Sequence, residues 1–211
     1  MLSLFRGDNR ESMQLPLFPL HTVLYPGGVL PLKVFEQRYI EMTKACLSGE
    51  KFFGVCLITQ GNEVADAANG VAAAPLFAAI GTMARITAWD MPHLGILNVR
   101  TVGGTRFQVQ SHKVRSDGLV VGDVTTIADE PAVALPDAHR PLAEMLLLLI
   151  KRIGPEHFPP PHAFDNASWV GYRLAELLPL PLGIKQSMLE INDSEVRLSA
   201  LSKFLRRQGL I

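Results

Sequence analysis

Four prolines within the span 16–31, Pro16, Pro19, Pro26 and Pro31, constrain this chain more than any other feature. Each fixes its own φ, lacks a backbone donor and pushes the residue before it out of the helical region, so the chain cannot open on a helix. Pro26-Gly27-Gly28 reads as a turn in which glycine takes positive φ, and the apolar runs on either side read as strands. After Pro31 the period changes. Phe35, Tyr39, Met42 and Cys46 stand at i, i+4, i+7 and i+11, one face of an α-helix, with Glu36, Arg38, Glu41 and Lys44 largely on the other. Gly49 supplies the stop. Residues 15–47 therefore read as extended piece, turn, strand and amphipathic helix, and the apolar face of that helix needs a partner.

Further along, residues 52–58 form a short apolar run that predicts a buried strand, and residues 61–75, rich in Ala, Gly, Asn and Asp, predict a surface loop. Strand signals resume at 77–89. Residues 90–95 read as a hairpin connection, 96–102 as the return strand, Gly103-Gly104 as a turn, 105–114 as another strand, and Ser116-Asp117-Gly118 as a turn into 119–127. Such a meander, with no βα alternation, predicts a small barrel.

Asp129, Glu130, Pro131 and Pro136 end the β pattern, and beyond them the chain is helical. Leu142, Met145, Leu146, Leu149 and Ile153 form a stripe that Leu147, Leu148 and Ile150 widen around most of the circumference, which predicts a helix buried between other elements and ended by Gly154. Residues 155–164, with four prolines, are irregular. Asp165 or Asn166 caps a helix running to Leu178, a short helix spans about 184–191, and Asn192 with Glu195 in capping-box spacing opens the last. The fold class expected is α+β: a polar flexible tail over 1–12, a barrel with one embedded helix over 13–128, and a helical bundle over 136–211.

Twenty basic and twenty acidic side chains cancel, so no global field draws the chain to nucleic acid or to an anionic membrane. The longest aliphatic run, 145–150, is far too short to span a bilayer. Cys46 and Cys56 lack metal-ligand or redox spacing and read as buried thiols, which fits a reducing, cytoplasmic location.

The Leu-Pro-Leu-Phe-Pro-Leu opening at 15–20, Tyr-Pro-Gly-Gly at 25–28, Leu-Pro-Leu at 30–32 and Phe-Glu-Gln-Arg-Tyr at 35–39 resemble the signature of the N-terminal domain of Lon-type ATP-dependent proteases. The strands of 81–124 continue the match, and the run 169–181 resembles the helical part of stand-alone members. The resemblance implies a PUA-like barrel and a role in recognising protein substrates. Lon proteases couple such a domain to an ATPase and a serine-lysine peptidase, but this sequence holds no Gly-x-x-x-x-Gly-Lys-Ser/Thr phosphate loop and no Gly-x-Ser-x-Gly. The expectation is a stand-alone, non-enzymatic recognition module, an adaptor in protein quality control, with no cofactor.

The six histidines form no i, i+4 pair with an acidic partner, so no metal site is expected. Apolar residues in connections are more telling, because periodic packing does not call for them. Trp89, Met91, Pro92 and Leu94 at the hairpin, with Phe158 and Phe164 around the proline loop, are the candidate surface for unfolded or specific protein segments; the plain alternative is that they cover barrel ends or seal a junction. Arg100, Arg106 and Arg115, with Lys113, lie on neighbouring strands and are the candidate face for RNA, the alternative partner that a PUA-like fold suggests.

Overall fold

The structure, a computed structural model, describes residues 11–49, 52–63, 75–154, 158 and 160–210. Its strands are β1 (Ser12–Leu20), β2 (Val29–Val34), β3 (Phe53–Gln60), β4 (Leu76–Phe77), β5 (Ile80–His93), β6 (Ile96–Val114) and β7 (Val120–Thr126). Helix α1 (Gln37–Gly49) interrupts them, and α2 (Arg140–Ile153), α3 (Ala167–Leu177), α4 (Leu182–Glu190) and α5 (Ser194–Arg207) follow. The result is a mixed α/β fold.

The proline-rich opening builds what its residues demand. Gly28 N–H donates to the Tyr25 carbonyl at 2.8 Å and Gly27 takes φ +70°, closing the turn between β1 and β2. Pro31 is tolerated because, among the described residues, β2 pairs only with β6 and is an edge strand. Helix α1 buries Tyr39, Met42 and Cys46 against Phe18, Val34, Phe53 and Leu97, with the Phe18 and Tyr39 rings stacked at 3.8 Å. Phe35, expected on that face, is exposed, since the helix starts only at Gln37. Ser12, placed in the tail from sequence, pairs with Thr125; residues 1–10 of that expected tail lie outside the described residues, as do 64–74 of the expected loop.

Neighbours run β1-β7-β6-β5-β3, and β3 pairs in turn with β1, in parallel through Leu17↔Gly54 to Leu20↔Leu57, so the pairing path returns to its start. Two expectations are corrected here. Gly103-Gly104 is no turn: β6 runs straight through it, and a Cβ at Gly103 would overlap the Tyr25 carbonyl oxygen, while Gly27 N–H donates to Gly103 O at 2.7 Å and Gly103 N–H to Gly28 O at 2.9 Å. The glycine is there for close backbone approach. The hairpin is also longer than expected: β5 extends to His93, leaving Leu94-Gly95 as a two-residue turn with Gly95 at φ +83°.

Leu142, Leu146 and Ile150 of α2, Val170 and Leu174 of α3, and Leu198, Leu201 and Leu205 of α5 form one core that also takes in Val23, Tyr25 and Leu57 from the strand region. Each fully buried leucine contributes at most about 2–3 kcal/mol. Asn166 caps α3 by accepting from Trp169 N–H at 2.8 Å. The cap of α5 is Asp193 rather than Asn192, its Oδ1 accepting from Glu195 N–H and Val196 N–H. Helix α2 is not buried between elements as its composition predicts, for Leu147 and Leu148 lie on an exposed face. Cys46 and Cys56 are both buried and not disulfide-bonded, and burial pushes the Cys56 thiol up to about 12.

Candidate functional site

Over residues 97–102, β6 carries β2 on one side and β5 on the other, so the rows of side chains run across three strands, as in Leu32–Val99–Trp89. Leu97 and Val99 of β6 are themselves buried. The β5–β6 end carries Trp89, Met91 and Leu94, which are 55%, 41% and 98% exposed, together with exposed Pro92. Beside Trp89 is an open groove of about 450 Å³ lined by Pro31, Leu32, Lys33, Val99 and Arg100. The four apolar hairpin residues expected from sequence are all exposed along the last strand residues and turn of one hairpin. Lys33, Asp90 and Arg100 give its margin both signs of charge. Large apolar surface with a polar rim accommodates an extended polypeptide.

Phe158 and Phe164 belong to another cluster. With His162 they surround Trp169 of α3, at ring-centroid distances of 6.3, 5.3 and 5.9 Å for Phe158, Phe164 and His162, and both are half-buried against the helical core. Both pack against the core, and Phe158 also lines a cavity of about 280 Å³ that borders Gly27, Trp169, Arg173 and Glu176.

The three arginines of the RNA alternative do not make one face. Arg100 is exposed beside Trp89, and Arg115 is exposed and ion-paired with Asp117 at 3.0 Å. Arg106 is only 3% exposed and its Nη1 donates to the carbonyls of Leu189 at 2.8 Å and Ile191 at 3.1 Å. A guanidinium so occupied cannot reach a phosphate.

Arg106 instead enters a buried polar junction that the sequence reading missed. Glu130, after β7, accepts from both terminal nitrogens of Arg197 on α5, from Ser168 Oγ and, at 2.7 Å, from Tyr172 OH on α3; Arg106 Nη2 stands 3.7 Å away. The Arg197 guanidinium lies 3.8 Å from the centre of the Tyr172 ring. Burial alone would push the Glu130 carboxyl up, but these hydrogen bonds outweigh it and hold it below the ordinary carboxylate value. A signal was present: Arg197 sits with Ser194, Leu198, Leu201 and Leu205 on the buried face of α5, and a charge in an apolar stripe requires a buried partner. Nearby, Arg173 Nη2 donates to the Pro26 carbonyl at 2.9 Å and Arg173 Nε pairs with Glu176 Oε2 at 3.1 Å, so α3 holds the Pro-Gly-Gly turn. Burial pushes Glu176 up and Arg173 down.

Among the described residues, no three His, Cys, Asp or Glu side chains gather to hold a metal ion, and no helix is long and apolar enough to cross a membrane. Fold and site together define a mixed α/β domain whose glycine-proline turn is clamped by a helical region and which exposes an apolar hairpin. The chain belongs to the ATP-dependent protease La (LON) substrate-binding domain family, whose model matches residues 14–207. It is similar to the Lon N-terminal domain protein from Xanthomonas campestris, with 39% identity and a TM-score of 0.72 over 90% of this chain and 98% of that one. The N-terminal domain of Mycobacterium avium complex Lon protease shares the fold, at 18% identity and a TM-score of 0.59 over 90% of this chain and 96% of that one. The Lon protease of Orientia tsutsugamushi (strain Ikeda) is 27% identical over 207 residues, covering 93% of this chain and 25% of the protease. The chain therefore spans about a quarter of the length of the curated relatives it matches.

Proposed function

We propose that this chain is a non-enzymatic recognition module that binds extended or unfolded protein segments at the β5–β6 hairpin tip and the groove beside Trp89, and that it serves as an adaptor in protein quality control. The observation that carries the reading is the exposure of Trp89, Met91 and Leu94 on one hairpin of the sheet. Membership of the substrate-binding family supports it. The strand path that returns from β3 to β1 supports reading the strand region as a closed, PUA-like barrel, a scaffold that holds the hairpin in place. Phe158 and Phe164 drop out of the binding surface in favour of a covering role.

Fluorescence anisotropy of the purified chain with a labelled unfolded polypeptide and with a labelled RNA, each at low and high salt, tests this. Polypeptide binding that survives salt and weakens at least tenfold in Trp89→Ala/Leu94→Ala is expected. Background binding by a folded chain, or RNA binding with a steep salt dependence, would overturn it.

A further inference from the structure

Helix α2 has a face that stands exposed among the described residues. Leu142, Leu146 and Ile150 are buried, whereas Arg140, Pro141, Glu144, Leu147, Leu148, Lys151 and Arg152 are exposed. Glu144, Leu147, Leu148 and Lys151 stand at i, i+3, i+4 and i+7, so they share one stripe about 100° wide on the surface of the helix. Leu148 is 66% exposed and Leu147 36%. A soluble helix gains nothing from two leucines in water at the centre of its outer face.

The pattern of this stripe is symmetric. Glu144 and Lys151 lie at equal spacing on either side of the midpoint between Leu147 and Leu148. Turn a second copy of the helix antiparallel about that midpoint, and Leu147 of each copy meets Leu148 of the other while Glu144 of each meets Lys151 of the other. This is the self-complementarity that a two-fold, isologous interface requires. Both charges are available for it: neither Glu144 nor Lys151 forms an ion pair or hydrogen bond among the described residues. Arg140, at the far end of the face, is held by Asp137 at 2.7 Å. A heterologous partner would need its own charge pattern to match, whereas a second copy of this chain supplies the match without further conditions.

We infer that the exposed face of α2 is a homodimer interface, in which two copies pack their α2 helices antiparallel across Leu147 and Leu148. A single pair of helices this short covers well under the roughly 800 Å² per partner of a standard stable interface, so the dimer is weak and forms with rising concentration. The interface uses α2, leaving the β5–β6 hairpin tip to its own ligand, so it stands independently of the proposed function.

Sedimentation equilibrium of the full 211-residue chain across a concentration series tests it. The wild type is expected to pass from monomer to dimer, and Leu148→Glu to remain monomeric. Glu144→Lys and Lys151→Glu each place like charges opposite one another in both pairs and should weaken the dimer at least tenfold. The combined swap restores opposite signs and should restore dimerisation at low salt. Because all these side chains are exposed, circular dichroism melts of the variants should superimpose on that of the wild type. A wild type that stays monomeric to millimolar concentration, whatever else binds α2, overturns the inference. So does a dimer indifferent to Leu148→Glu, or a charge swap that fails to rescue.

Discussion

Glu130 gathers two arginines, a tyrosine and a serine in one buried junction, and its surroundings set a pH dependence with a definite sign. These side chains stabilise its ionised form, and its folded-state pKa lies below the ordinary carboxylate value. A carboxyl with a depressed folded pKa contributes stability that is fully present above its unfolded value, about 4.3, and is lost as pH falls through the folded one. Glu130→Gln keeps the shape but removes the charge from between two guanidinium groups that are themselves almost wholly buried. The expected cost is about 3 kcal/mol at neutral pH, the low end for breaking a buried pair. Urea unfolding at a series of pH values checks this: the wild type should lose stability progressively below about pH 4.5, and the variant should lose visibly less over the same interval. Equal slopes would mean that Glu130 is not held as the geometry describes. The sequence displayed Glu130 only as a β-breaker: Arg197 in its apolar stripe signals that a buried partner exists, but the contacts of Glu130 come from β6, α3 and α5, tens of residues away, and no local pattern identifies Glu130 as that partner.

At the scale of elements, what was legible followed from local rules. The Pro-Gly-Gly turn, the α1 face of Tyr39, Met42 and Cys46, the Gly154 stop of α2 and the Asn166 cap of α3 each rest on residues within a turn or two of one another. What was not legible depended on contacts across the chain. Gly103-Gly104 looks like a turn in sequence, yet the Tyr25 loop crossing over β6 is what requires the missing Cβ. Gly103→Ala should therefore destabilise by about 1–3 kcal/mol through overpacking against backbone that cannot yield. Gly95→Ala provides a contrast: open space surrounds its Cβ position and only the φ of +83° resists, so its cost should be smaller, about 1 kcal/mol. Thermal melts of the two variants rank them, and a Gly103→Ala protein as stable as Gly95→Ala would refute the close-approach account. The candidate site divides along the same line. The exposure of Trp89, Met91, Pro92 and Leu94 was legible because they are apolar residues around a tight connection, and their binding role remains the proposal; Phe158 and Phe164, chosen by the same rule, pack on Trp169, a contact that sequence spacing does not reveal.

For the molecule as a whole, the strand and helical regions are joined by more than the chain. Val23, Tyr25 and Leu57 sit in the helical core, Tyr25 OH donates to the Lys185 carbonyl at 2.8 Å, and Gln186 Nε2 donates to Ile80 O at 2.9 Å. Arg106 reaches from β6 to the end of α4, and Arg197 and Glu130 close the same junction. Regions that share a core and a buried ionic network unfold together, since neither can expose its side without stranding charges and apolar surface on the other. The two tryptophans report on the two regions separately, Trp89 on β5 and Trp169 on α3. In urea, the fluorescence transitions of Trp169→Phe and Trp89→Phe chains should coincide after correction for any shift in stability caused by the substitutions, which circular dichroism of each chain supplies. Arg197→Met removes the bidentate partner of Glu130 while retaining apolar bulk beside Leu198 and Leu201, and should cost about 3–5 kcal/mol. Because that loss falls on α5 and α3 first, the Trp169 transition should move to lower urea than the Trp89 transition, splitting one event into two. If the transitions remain superimposed at a lower midpoint, the apolar contacts of Val23, Tyr25 and Leu57 alone couple the regions; if they already differ in the wild type, the strand region folds without the helices and the junction serves only to position them.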